Sequence, residues 1–154
     1  MTCETLKAAV IGSGSIAHAH LTRLAEMDNV AIAAVCDVEK ALARKAAGLT
    51  GGQVFTDFNE MLDKVVCDEV FLFTPQMVRE APIAACAERK LPVFTEKPPA
   101  FDLETGRRVE RIINSSRIIA SVGSCFGISR SSSGLSRSST GGPSWGFGCI
   151  TPVR

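Results

Sequence analysis

Ala8-Ala9-Val10-Ile11-Gly12-Ser13-Gly14-Ser15-Ile16-Ala17 runs an apolar strand into a Gly-x-Gly-x-x-Ala turn and straight on into a helical pattern. Such a turn presents bare backbone N–H groups, at the positive end of a helix, to a pyrophosphate. Gly12 allows the tight turn, Gly14 lets a phosphate approach the main chain, and Ala17 keeps the helix close to the sheet. Asp37 follows roughly 20 residues on, where an acid accepts hydrogen bonds from an adenosine ribose. A glycine-rich turn alone can serve folding without any ligand. The preceding strand, the following helix and the acid at this distance together point to a dinucleotide.

Outward from this turn the chain alternates apolar runs of strand length with helical segments. The strands are expected at 6–11, 30–36, 53–56, 69–73, 91–95 and 117–122. Helices are expected over about 15–27, 40–47, 58–64, 78–89 and 102–114, with Gly48 stopping the second and Asp57 and Asp102 capping the third and fifth. Pro82 fits its helix only within the first turn. Near-continuous apolar strands separated by helices predict an α/β fold: a doubly wound, six-stranded parallel sheet covered on both faces, of Rossmann type, in the order 3-2-1-4-5-6. In that order Gly12–Ile16, Thr74-Pro75 and Glu96-Lys97 all fall at strand carboxyl ends along one edge of the sheet.

Composition narrows the classes. The 154 residues are 45% hydrophobic, which suits one globular domain with its own core. A formal charge of +1 gives no ground for a nucleic-acid or anionic-membrane partner. No apolar run reaches the roughly 20 residues of a membrane span, and the N-terminus has no secretory apolar core, so a cytoplasmic protein is expected. Cys3, Cys36, Cys67, Cys86, Cys125 and Cys149 are scattered without a C-x-x-C or a Cys/His cluster, which reads as reduced thiols and no metal site.

The strand-5 sequence Phe94-Thr95-Glu96-Lys97-Pro98 completes a set with Gly12–Ala17, His20, Cys36-Asp37 and Thr74-Pro75. In this set the chain, over about residues 5–123, resembles the Gfo/Idh/MocA oxidoreductases, NAD(P)-dependent enzymes acting mostly on sugars, inositols and related diols. The resemblance implies that Gly12, Ser13, Gly14, Ser15 and Ile16 hold the pyrophosphate and Asp37 the adenosine ribose. It implies that Thr74, Pro75, Glu96 and Lys97 meet the nicotinamide side, with Lys97 a catalytic-site residue and its bond to Pro98 cis. An acid at position 37 opposes a 2′-phosphate, so NAD is expected in preference to NADP. Each residue has a plainer reading. Lys97 can be an exposed lysine, Asp37 can cap the next helix, His20 can pack beside the glycine turn, and His18 reads as solvated.

The departures are also specific. Arg79 stands where the family often has histidine, which puts that contact in doubt. Lys90 stands where a helix-ending glycine is usual, which places a side chain in a left-handed position. The family's second domain, with its substrate pocket and Asp and His acid–base groups, is expected to be absent.

Residues 1–123 therefore read as the dinucleotide-binding domain, and 124–154 as a Ser/Arg/Gly-rich tail, disordered or irregular. No acid follows Glu110 and no lysine follows Lys97. One choice of codons for 123–134, with a single T restored after the first, reads Gly-Phe-Leu-Phe-Arg-Tyr-Leu-Pro-Val-Val-Glu-Arg, so an out-of-frame tail is expected. The function expected is the cofactor half of a hydride-transferring enzyme, inactive as this fragment and meeting a sugar or polyol only in a full-length protein. The alternative is a non-enzymatic dinucleotide-binding or regulatory module.

Overall fold

Alternation along β1 (Leu6–Ile11) organises the molecule: Ala8 and Val10 face one apolar layer, Ala9 and Ile11 the other, and all four are buried. A strand buried on both faces must be covered twice. The computed structural model describes residues 5–123, so the expected tail at 124–154 lies outside the described residues. In chain order β1 is followed by α1 (Ser15–Ala25), β2 (Val30–Cys36), α2 (Lys40–Thr50), β3 (Gln53–Phe55), α3 (Phe58–Lys64) and β4 (Glu69–Leu72). A 3-10 turn (Gln76–Val78), α4 (Glu80–Glu88), β5 (Val93–Thr95), α5 (Leu103–Ser116) and β6 (Ala120–Val122) complete it.

The six strands form one sheet in the order β3-β2-β1-β4-β5-β6, parallel at every pairing, as the sequence predicts. Ala17, Leu21 and Leu24 of α1 and Ala46 of α2 pack on one face with Ala8, Val10, Ile32 and Val35. Met61, Leu62, Ile83, Cys86 and Val109 of α3, α4 and α5 cover the other with Ile11, Val70, Leu72 and Val93. Full burial of a side chain such as Leu21 contributes about 2 kcal/mol.

Several boundaries move. Gly48 lies inside α2, and Gly51, at φ +77°, ends the helix with its N–H on the Ala47 carbonyl at 2.7 Å. The single helix expected at 78–89 is a 3-10 turn followed by α4, with Pro82 in the first turn of α4 where its missing N–H costs nothing. Strands β5 and β6 are shorter than the apolar runs that announce them. Asp57 and Asp102 cap as expected, accepting from the backbone N–H of Glu60 and Thr105 at 2.8 and 2.7 Å. Lys90 does adopt the left-handed conformation, at φ 59°. Among the described residues no helix is long and apolar enough to cross a membrane.

Candidate functional site

The strand order reverses between β1 and β4, whose carboxyl ends lie side by side. At that point Gly12 turns the chain at φ +94°, its N–H bonded to the Cys36 carbonyl at 2.8 Å. A Cβ there would stand 2.7 Å from the Thr74 nitrogen and 2.8 Å from the Phe73 carbonyl carbon, so the turn requires glycine on two grounds. Gly14 differs. Its φ of −69° is ordinary, and a Cβ would meet nothing within 4 Å, so its α-carbon faces open space. It is the N-cap of α1, no side chain caps the helix, and the first intrahelical bond is donated by the His18 N–H to the Gly14 carbonyl at 3.0 Å. The first-turn N–H groups are thus presented at the positive end of the helix dipole.

Two buried hydroxyls flank this turn without a hydrogen-bond partner: Ser13 Oγ, after β1, and Thr74 Oγ1, after β4. Buried polar atoms left unpaired are costly and rare. Ser13, Gly14 and Ser15 also line a cleft of about 320 Å³ with Leu42 and Lys45 of α2. An open glycine, exposed helix donors and two orphan hydroxyls fit a polyanionic, hydroxyl-rich group such as a dinucleotide.

Asp37, at the end of β2, accepts from the Ser13 N–H at 2.7 Å and the Glu39 N–H at 2.9 Å. Its carboxylate therefore ties the glycine turn to the approach of α2, a link sequence reasoning did not anticipate. Each oxygen retains a lone pair for a further donor.

On the β4–β5 side, Glu96 follows β5 and its Oε1 lies 2.7 Å from His20 Nε2 of α1. His20 stacks on Phe73, ring centroids 4.6 Å apart, and meets Phe94 edge-on. The side chains of His20 and Glu96 are 33% and 15% exposed, so the pair is fixed but not sealed. The Lys97 N–H donates to Glu96 Oε2 at 3.2 Å, the Lys97–Pro98 bond is cis, and Lys97 itself is exposed.

Arg79, whose contact the sequence left in doubt, is buried at the start of α4. Its Nε donates to the Thr74 carbonyl at 2.9 Å, and Nη1 donates to the Glu96 and Pro98 carbonyls. Burial pulls the guanidinium below its usual pKa, and the Glu96 carboxylate opposes this. All the residues singled out in the sequence, from Gly12–Ile16 through Asp37 and Thr74-Pro75 to Glu96-Lys97, thus follow β1, β2, β4 and β5 at one edge of the sheet.

Comparison with known proteins bears on the fold and the family. The family model for an oxidoreductase family with an NAD-binding Rossmann fold matches residues 6–124. The chain is 32% identical over 108 residues to inositol 2-dehydrogenase of Arthrobacter sp. (strain FB24), covering 69% of this chain and 32% of that protein. It superposes with a TM-score of 0.72 and 25% identity on scyllo-inositol dehydrogenase of Lactobacillus casei with bound NAD(H) and scyllo-inositol, covering 78% of this chain and 36% of that one. WlbA dehydrogenase of Chromobacterium violaceum, solved with NADH and UDP-GlcNAcA, gives a TM-score of 0.75 at 27% identity, covering 80% and 36%. The chain spans about a third of the length of the curated relatives it matches. On its fold, its strand-end motifs and this match, the chain belongs to the Gfo/Idh/MocA oxidoreductase family with the NAD-binding Rossmann fold.

Proposed function

We propose that residues 1–123 hold NAD as the cofactor half of an oxidoreductase whose substrate is a polyol or sugar of the inositol class. The observation that carries this reading is the pairing of Gly14, open to space, with the orphan hydroxyls of Ser13 and Thr74, which follow the two central strands. In the proposed arrangement the pyrophosphate lies on the turn from Gly12 to Ile16, taking the N–H groups of Gly14, Ser15 and Ile16 and the Ser13 hydroxyl, while the Ser13 N–H stays on Asp37. Asp37 accepts from the adenosine ribose, and Thr74, Pro75, Glu96 and Lys97 meet the nicotinamide riboside. The bound nicotinamide would supply the hydride-accepting carbon. The substrate class rests on the relatives, several of which are named inositol 2-dehydrogenases.

Lys97 is the one candidate catalytic residue among the described residues. Hydride transfer also needs a substrate held in line and a proton acceptor. This chain is therefore expected to bind NAD and to oxidise no polyol. Titration calorimetry tests the cofactor reading. NAD should bind more tightly than NADP, and Asp37→Ala should narrow that preference by about tenfold, 1.4 kcal/mol. Tighter NADP binding by the unaltered chain would remove Asp37 from its role, and no binding of either would end the reading. Sustained NADH formation by the 154-residue chain on a polyol panel would refute the expectation of inactivity.

A further inference from the structure

We propose that Arg79 is a positioning residue that locks the loops after β4 and β5 together and so sets the backbone on both sides of Lys97. This rests on the reading above, in which those loops face the nicotinamide riboside. Three carbonyls from two loops converge on one guanidinium: Thr74 on Nε at 2.9 Å, and Glu96 and Pro98 on Nη1. The Glu96 and Pro98 carbonyls belong to the residues on either side of Lys97, so the peptide entering Lys97 and the peptide leaving Pro98 share one anchor. The first carbonyl belongs to Thr74, whose nitrogen abuts Gly12. The anchor thereby fixes the Lys97 segment relative to the glycine turn.

Two features make this more than a loop staple. Arg79 is only 5% exposed, so its N–H groups have little water to replace these partners. The other side of the same segment is held independently, with His20 at 2.7 Å from Glu96 Oε1 and the Lys97 N–H on Glu96 Oε2 at 3.2 Å. Lys97 thus stands between a clamp on its flanking carbonyls and a clamp on the preceding side chain. The job suits arginine. A guanidinium offers five N–H donors in one rigid plane and stays charged at every working pH, whereas an imidazole has two ring nitrogens and titrates. In this chain the histidine that the family resemblance leads one to expect is replaced by a residue able to bridge both loops at once.

The test compares two ligands on the full 154-residue chain. ADP carries the adenosine and pyrophosphate of the cofactor, and NADH adds the nicotinamide riboside. In Arg79→Met, NADH affinity should fall by about tenfold or more, as expected for losing hydrogen bonds from a charged group, while ADP affinity stays within about twofold. Arg79→Lys, which keeps the charge but not the planar fork, should fall between Arg79→Met and the unaltered chain in the NADH-to-ADP affinity ratio, and it decides the matter if Arg79→Met does not fold. An unchanged ratio in the variants, or ADP and NADH affinities falling together, would overturn the proposal and leave Arg79 a merely structural residue. Failure of the unaltered chain to bind either ligand would overturn the cofactor reading itself, and this proposal with it.

Discussion

Replacing Gly12 and Gly14 in turn by alanine should separate two roles that the Gly-x-Gly motif merges. At Gly12 the backbone sits at φ +94°, which costs a residue with a Cβ roughly 1–2 kcal/mol. The new methyl would stand 2.7 Å from the Thr74 nitrogen and 2.8 Å from the Phe73 carbonyl carbon, both main-chain atoms of a buried strand end. Relieving such overpacking costs about 1–3 kcal/mol. Together Gly12→Ala should lose about 2–5 kcal/mol, lowering Tm by on the order of 10 °C for a domain of this size. At Gly14 φ is −69° and the methyl meets nothing within 4 Å, so only the N-cap preference of glycine over alanine is lost, less than about 1 kcal/mol. That methyl would nevertheless occupy the space through which a pyrophosphate reaches the first turn of α1. Gly14→Ala should therefore lower the urea midpoint far less than Gly12→Ala and lose NADH affinity by about tenfold or more. Circular dichroism melts and NADH fluorescence titration read the two effects separately. A Gly12→Ala variant as stable as the parent would refute the steric argument. A Gly14→Ala variant with parental NADH affinity would refute the placing of the pyrophosphate.

Acid sensitivity should follow two carboxylates of opposite behaviour. Arg108 grips Glu80 through both oxygens, at 2.8 and 2.9 Å, and holds its pKa below the ordinary 4.5. The stability this lends is present above about pH 4.5 and lost as pH falls through the depressed folded value, so Glu80→Gln should lower the urea midpoint at neutral pH and flatten its acid limb. Burial raises Glu69, so its ionisation opposes folding once pH exceeds its unfolded value, and Glu69→Gln should raise the midpoint at neutral pH and leave it unchanged in acid. Equal pH profiles for all three chains would contradict both signs. Burial, the largest cause for each, pushes the Cys36 and Cys86 thiols to about 12, so peptide mapping after iodoacetamide at mildly alkaline pH should find both unmodified in the folded chain. Labelling of either at the unfolded rate would contradict their placement.

The sheet was legible because each strand is a local apolar run, and β1 and β2 are bounded where the sequence places them. Helix ends were less legible. Gly48 and Gly51 both qualify as stops, and the helix ends at Gly51; a side chain at the next residue, Gly52, would come within 3.1 Å of the Ile32 carbonyl on β2, a constraint that no local pattern carries. The site divides the same way. The turn at Gly12–Ile16 and the acid at 37 have fixed spacing and can be read in one dimension. The bond from Ser13 to Asp37, the His20–Glu96 pair and the three carbonyls gathered by Arg79 join segments with no periodic relation. Only a folded sheet brings them together.

Position 90 shows how a chain can leave a rule without penalty. Lys90 ends α4 in the left-handed conformation that glycine would take at no cost, yet its ammonium reaches the Ser116 carbonyl, at the end of α5, at 3.0 Å. Two helix C-termini, each bearing partial negative charge, thereby share one cation. The backbone cost of a side chain at positive φ and the benefit of this shared cap are each of the order of 1 kcal/mol and opposite in sign. Glycine and lysine are then nearly equivalent there, and the position can drift between them by neutral substitution, with the fold registering almost nothing.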